Sequence, residues 1–212
     1  MKKWITLLLA MTMVLGLTAC SGTAASENSS AQTPSAPEET SAEAQTTAPS
    51  AAADSSTLIA YFSWSGNTAQ MAQMIADETG GTLFEIQPAT PYTEDYDTLL
   101  DVAQQEQAEN ARPALAAQVE DWDSYDVVFV GYPDWWGDAP MLIYSFLEAY
   151  DWQGKTLIPF CTSGGSGFGR SLDQLADSAP GAEILEGLHV NGDSVADAAD
   201  EVASWIAGLP LA

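Results

Sequence analysis

Three short stretches hold the residues that could do chemistry. The first is Ser63-Trp64-Ser65-Gly66-Asn67-Thr68. It follows the apolar run Leu58-Ile59-Ala60-Tyr61-Phe62 and precedes a helical pattern with Met71, Ala72, Ile75 and Ala76 on one face. A strand, a tight turn and a helix N-terminus together make a phosphate-binding geometry. The first helical N–H groups have no intrahelical partner, and the macrodipole puts partial positive charge there. Hydroxyls of Ser63, Ser65 and Thr68 and the Asn67 amide add donors, while Gly66 lets the backbone come close. The turn has no lysine, which excludes a Gly-Lys-Ser/Thr loop, and its single glycine excludes Gly-x-Gly-x-x-Gly. The second stretch is Gly131-Tyr132-Pro133-Asp134-Trp135-Trp136-Gly137. Two adjacent indoles in a loop are not a core pattern. Leaving them in water forfeits apolar burial unless a flat aromatic ligand stacks on them, or one packs on the following helix. The third is Thr162-Ser163-Gly164-Gly165-Ser166-Gly167, directly after an apolar run. Its glycines permit close backbone approach and its hydroxyls supply donors.

The elements that must position these turns alternate along the chain. Strands are expected at Leu58–Phe62, Thr82–Gln87, Tyr125–Gly131, Lys155–Cys161 and within Glu183–Val190. Val127-Val128-Phe129-Val130 is apolar throughout, which implies burial on both faces. Helices are expected from Thr68 to Thr79, stopped by Gly80-Gly81, and from Tyr96 to about Asn110, with Pro113 beyond. A third helix follows a cap at Asp138, with Pro140 in its first turn and Leu142, Ile143, Phe146, Leu147 and Tyr150 at core spacing. Phe168, Leu172, Leu175 and Ala176 mark the fourth. Ser194, three residues before Asp197, opens the last, with Val195, Ala199, Val202 and Ile206 on one face. Five strands alternating with five helices make an α/β fold, a doubly wound parallel sheet with helices on both faces; right-handed crossovers leave few topologies, and the expected one is the five-stranded order 2-1-3-4-5. The switch point then lies between the strands ending at Phe62 and Gly131, where ligands bind outside the carboxyl ends. All three turns stand at carboxyl ends, so they should form one site.

The same turns resemble those of the flavodoxin family. Ser63-Trp64-Ser65-Gly66-Asn67-Thr68 is similar to the FMN-phosphate loop, usually Thr/Ser-x-Thr-Gly-Asn-Thr; Ser65 replaces the third Thr and Trp64 fills the variable position. Gly131 to Gly137 looks like the isoalloxazine-contact loop Gly-Tyr-Pro-x-Trp-Trp-Gly of one subfamily. Asp134 departs from it, standing where a neutral or apolar residue is usual. Thr162 to Gly167 resembles that subfamily's second flavin loop, Thr-x-Gly-Gly-Ser-Gly, and Asn110-Ala111-Arg112-Pro113 also matches. The resemblance covers nearly all of residues 57–212. It implies a flavodoxin-like fold with FMN held by Ser63 to Thr68, Tyr132 to Gly137 and Thr162 to Gly167. The flavin would do the redox chemistry, and no catalytic acid or base need come from the chain.

The N-terminus points outside the cytoplasm. Lys2 and Lys3 precede the apolar segment Trp4 to Leu17, and Leu17-Thr18-Ala19-Cys20 reads as a lipobox. Residues 1–20 are therefore expected to be a lipoprotein signal peptide, too short for a stable membrane span, with Cys20 acylated. Residues 21–56, built of Ala, Ser, Thr, Glu, Gln and Pro, are expected to be a disordered tether. Residues 57–212 suit one domain. With residues 1–20 removed, 3 basic residues face 30 acidic ones, a charge of −27 that repels nucleic acid and anionic lipid. Cys161 is left without a disulfide partner and reads as a buried small hydrophobe. His189, the one histidine, reads as structural between Leu188 and Val190.

The function these features imply is an FMN-binding electron carrier, lipid-anchored at the extracytoplasmic face of the cell membrane. It would exchange electrons with a redox partner protein or a small acceptor, and meet the membrane through its lipid only. An NAD(P)H:quinone-type reductase is the alternative enzyme, though the chain carries no nicotinamide fingerprint. A non-redox flavin-capturing lipoprotein is a third reading. A phospho-receiver of this topology is disfavoured, because Phe62-Ser63 and Gly131-Tyr132 stand where its acidic residues would be.

Overall fold

The computed structural model describes residues 57–211; the expected signal peptide, Cys20 and the tether lie outside the described residues. The described chain runs β1 (Thr57–Tyr61), α1 (Asn67–Thr79), β2 (Thr82–Glu85), α2 (Tyr96–Glu109), β3 (Val127–Pro133), α3 (Met141–Glu148), β4 (Thr156–Ser163), α4 (Ser171–Ser178), β5 (Glu183–Ile184), β6 (Leu188–Asn191) and α5 (Ala199–Gly208). The strands pair in parallel in the order β2-β1-β3-β4-β5, with β6 also on β4. Parallel strands need crossover helices, and these cover both faces of the sheet. On one face Ile59, Phe129, Ile158 and Phe160 pack with Met71, Ala72 and Ile75 of α1 and Val202 of α5. On the other, Leu58, Val128, Val130 and Cys161 pack with Leu142, Phe146 and Leu147 of α3 and Leu175 of α4. The central strands are thus sealed on both sides, as the unbroken apolar run of β3 requires.

Four local expectations are corrected. The fifth strand is two short pieces, and the cause lies in its neighbour. Leu157 accepts a hydrogen bond from Leu185 N–H, so by alternation position 159 faces the same edge. Residue 159 is proline and has no N–H to give. The ladder stops there and resumes at Phe160↔Leu188. Asp138 does not cap α3: the cap position is Pro140, with no side-chain bond. The Asp138 side chain is instead drawn inward, as described below. Ser194 opens no α-helix. Gly192–Asp197 forms a 3-10 segment, and Asn191 caps it by accepting from Asp193 N–H. This shifts the buried face of the C-terminal region to Val195, Ala198 and Val202, leaving Ala199 exposed. On α4, likewise, Leu172 and Ala176 face water and Leu175 alone of the expected helical positions is buried.

Candidate functional site

The loops leaving β1, β3 and β4 meet at the carboxyl edge of the sheet around a cleft of about 500 Å3. Of the residues expected there, Trp64, Ser65, Asn67, Pro133, Asp134, Trp135, Trp136, Thr162, Ser163 and Gly164 line it. One wall is the start of α1. Gly66 precedes it at φ 94°, a left-handed conformation that glycine adopts without strain, and no side chain caps the helix. The first-turn N–H groups of α1 are therefore free of side-chain partners. A Cβ on Gly66, Gly137, Gly164 or Gly165 would meet no atom within 4 Å, so the loops present bare backbone to open space.

Several expected residues build the loops rather than face the cleft. Ser63 Oγ accepts the Gly66 N–H at 3.2 Å and shapes the first turn. Thr68 is buried, and its hydroxyl pairs with that of Thr162 at 2.9 Å, fastening the first loop to the third. The expected cleft-facing hydroxyl at Thr68 is therefore a strut. Tyr132 is likewise a correction. Alternation along β3 turns its ring into the core on the α3 and α4 side, and its hydroxyl pairs with Ser171 Oγ at 2.7 Å. Gly165, Ser166 and Gly167 do not line the cleft, and Ser166 donates its hydroxyl to Asp134 Oδ2 at 2.6 Å.

The three indoles have different attachments. Trp64 donates Nε1–H to Thr93 O at 2.9 Å and leans on Tyr96, with centroids 6.0 Å apart. Trp135 meets Phe62 and Tyr92 edge-on at 5.3 and 5.2 Å, so it belongs largely to the core. Trp136 is 48% exposed at φ 57°. A bulky residue holds that left-handed conformation only where its surroundings enforce it. Here Nε1–H donates to Leu100 O at 3.2 Å.

Charge near the cleft is anionic and well braced. Asp134 Oδ2 also accepts the Gly137 N–H at 3.2 Å, while its Oδ1 is the one buried side-chain polar atom without a partner among the described residues. Behind it, buried Asp138 accepts from Ala139 N–H, Tyr144 hydroxyl, Gln174 Nε2 and Arg170 Nε. Four donors to one carboxylate compensate the desolvation of a buried charge. Burial and the adjacent Asp138 carboxylate push the Tyr144 hydroxyl far up, so it stays a donor. Burial, aided by the charge of Asp134, also pushes the Cys161 thiol up, so it stays protonated and inert.

The structure adds residues that sequence reasoning missed. Asn191, Gly192 and Asp193 line the cleft from the end of β6, and Tyr96, Leu99, Leu100 and Ala103 from α2. Asn-Gly-Asp is a fourth polar turn at a strand's carboxyl end, so the rule that found the other three would have found it. The α2 residues gave no such signal, because their face is decided by packing. A Cβ on Gly192 would lie 2.8 Å from Asn67 Nδ2, which shows how closely this fourth loop abuts the first. His189 Nε2 lies 2.7 Å from Ser163 Oγ and so touches the third loop.

The sequence profile of the flavodoxin family matches residues 56–209. Among solved structures, a Bacteroides uniformis protein assigned as a flavoprotein is 37% identical, covering 72% of this chain and 98% of its own, with a TM-score of 0.65. A Bacteroides eggerthii protein with the same assignment is also 37% identical, covering 70% and 98%, with a TM-score of 0.60. A Lactobacillus acidophilus flavoprotein solved in complex with FMN is 26% identical, covering 69% and 99%, with a TM-score of 0.56. No curated protein matches the chain. With its sheet order, the three loops at the switch point and these relatives, the chain belongs to the flavodoxin family.

Proposed function

We propose that the cleft binds FMN and that the protein is an electron carrier, held by a lipid on Cys20 at the extracytoplasmic face of the cell membrane. One observation carries the FMN reading. The uncapped start of α1, with Ser65 and Asn67 beside it, opens into the same cleft that Trp64 and Trp136 line. Phosphate belongs at the helix start, where orphan N–H groups and the macrodipole favour an anion. A flat ring belongs against the indoles. The Lactobacillus acidophilus relative holds the same cofactor. The residues present fit the group: bare glycine backbone, hydroxyl and amide donors, and aromatic walls in one cavity of about 500 Å3.

Bound flavin would supply reversible electron transfer. The chain's part is to hold and insulate it. Asp134, tied to Gly137 and Ser166, keeps a carboxylate at the cleft wall and disfavours added negative charge there. The carrier reading is supported by location and charge. A chain exported unfolded acquires FMN where cytoplasmic NAD(P)H is absent. Its net charge after processing steers encounters with a basic surface on a partner. A specific observation favours the reductase as second reading. Trp136 also borders a shelf of about 440 Å3 with Gln104, Gln107 and the exposed Arg170, which offers room for a small anionic substrate beside the cleft.

The test is a titration of the purified 57–212 domain with FMN and with riboflavin, followed by reduction. Noncovalent binding of FMN with clear preference over riboflavin is expected, with slow reduction by NADH or NADPH alone. Electron exchange with a cationic partner should slow as salt shortens the Debye length to about 10 Å near 0.1 M. Fast, salt-insensitive turnover with NAD(P)H and a quinone would instead establish the reductase.

A further inference from the structure

The third loop, Ser163 to Gly167, contains three glycines and needs a device to hold its shape. Ser163 Oγ is that device: it accepts the N–H groups of Gly165 at 3.0 Å and Gly167 at 3.2 Å. A hydroxyl has one proton and two acceptor lone pairs. Both lone pairs are taken by the loop amides. The third neighbour, His189 Nε2 at 2.7 Å, must therefore receive the hydroxyl proton. That requires a neutral imidazole with its own proton on Nδ1.

We propose that His189 is a positioning residue for the flavin loop. Its unprotonated Nε2 accepts the Ser163 hydroxyl proton and so orients both Ser163 lone pairs toward the Gly165 and Gly167 amides. The proposal rests on the FMN reading of the cleft. Ser163 and Gly164 line that cleft directly. His189 stands on β6, whose end carries the cleft residues Asn191, Gly192 and Asp193, so the contact joins two walls of the site.

The bond count has a consequence for acid. An imidazolium carries a proton on Nε2, directed at an oxygen that already accepts two bonds. Ser163 must then release a loop amide, or the histidine must turn away. Either outcome loosens the loop. The titratable groups on the elements packed against β6 are Cys161 on β4 and Asp193 and Asp197 on the 3-10 segment, with Glu186 just before the strand. All four stay in place when His189 alone is replaced, which makes substitution the clean test.

His189→Gln places an amide oxygen where Nε2 stands and cannot titrate; His189→Leu removes the acceptor. FMN dissociation constants are measured from about pH 8 downward, as far as the domain stays folded. The native domain should lose affinity as pH falls. The glutamine variant should bind as the native domain does at pH 8 and lack the histidine-dependent loss. The leucine variant should bind about five- to tenfold more weakly at pH 8, the scale of one lost hydrogen bond. Amide hydrogen exchange of Gly165 and Gly167 in flavin-free protein should quicken in the leucine variant and not in the glutamine variant. A leucine variant with native affinity and native exchange would overturn the proposal, as would a glutamine variant keeping the native pH profile. Failure of the native domain to bind FMN at pH 8 would overturn the FMN reading, and the exchange rates would still decide the role of His189 in the loop.

Discussion

Gly169→Ala should separate the second and third loops, and the structure sets the size of the effect. Gly169 has φ 54°, and a Cβ built there would lie 2.1 Å from the carbonyl oxygen of Gly137. The obstacle is backbone, so no side-chain rotation relieves it. Gly167 is the control. It lies two residues earlier at φ 64°, and its Cβ would meet nothing within 4 Å. Both variants bear the left-handed penalty of about 1–2 kcal/mol for an L-residue. Only Gly169→Ala adds overpacking, about 1–3 kcal/mol. Its total is then about 2–5 kcal/mol, and at about 2–4 °C per kcal/mol the middle of that range lowers Tm by about 7–14 °C. The clash also strains the Arg170 N–H to Gly137 O bond of 2.9 Å, next to Trp136. FMN affinity should therefore fall in Gly169→Ala more than in Gly167→Ala. Thermal unfolding of the flavin-free domain and fluorescence titration with FMN measure both. If the two alanine variants melt together, within about 2 °C and so within about 1 kcal/mol, the contact with Gly137 carries no weight and the reasoning is refuted.

The two loop indoles should divide their effects. Trp136→Ala should weaken FMN by about 0.5–1.5 kcal/mol with little change in Tm, whereas Trp135→Ala, which strips edge contacts from Phe62 and Tyr92, should lower Tm first; equal behaviour in paired titration and melting would contradict the assignment. Asp134→Asn removes a carboxylate from the cleft wall, so the potential of bound flavin should rise by tens of millivolts in a spectroelectrochemical titration; an unchanged potential would mean that the carboxylate does not sense the ring. Cys20→Ala should release the protein from membranes in fractionation without altering flavin binding by the domain; persistent attachment would argue against the lipid anchor.

Much of the architecture was legible in the sequence because it rests on local rules. The apolar run of β3 announced burial on both faces, and strand-helix alternation with right-handed crossovers left few topologies, among them the observed 2-1-3-4-5 order. The turns at Ser63, Gly131 and Thr162 were legible because hydroxyls, glycines and paired indoles stand out against a core pattern. The corrections share a different origin. Asp138 reads as a helix cap from spacing alone; only the neighbouring Arg170, Gln174 and Tyr144 draw it inward. Thr68 reads as a phosphate donor facing the cleft, whereas its buried hydroxyl pairs with that of Thr162, 94 positions away. The fifth strand reads as continuous, because its break is caused by a proline in another strand.

By itself, then, the sequence determined the fold class, the switch point and the three loops that meet there, since these follow from periodicity, turn chemistry and chain order. The tertiary structure decided which side chain faces the cleft and which braces it. A hydroxyl or carboxylate points wherever its strongest partner stands, and that partner comes from distant sequence. His189 shows the difference most plainly: an unremarkable residue in a strand-like run, it becomes part of the site only when β6 lies beside β4 and Ser163 has one proton left to give.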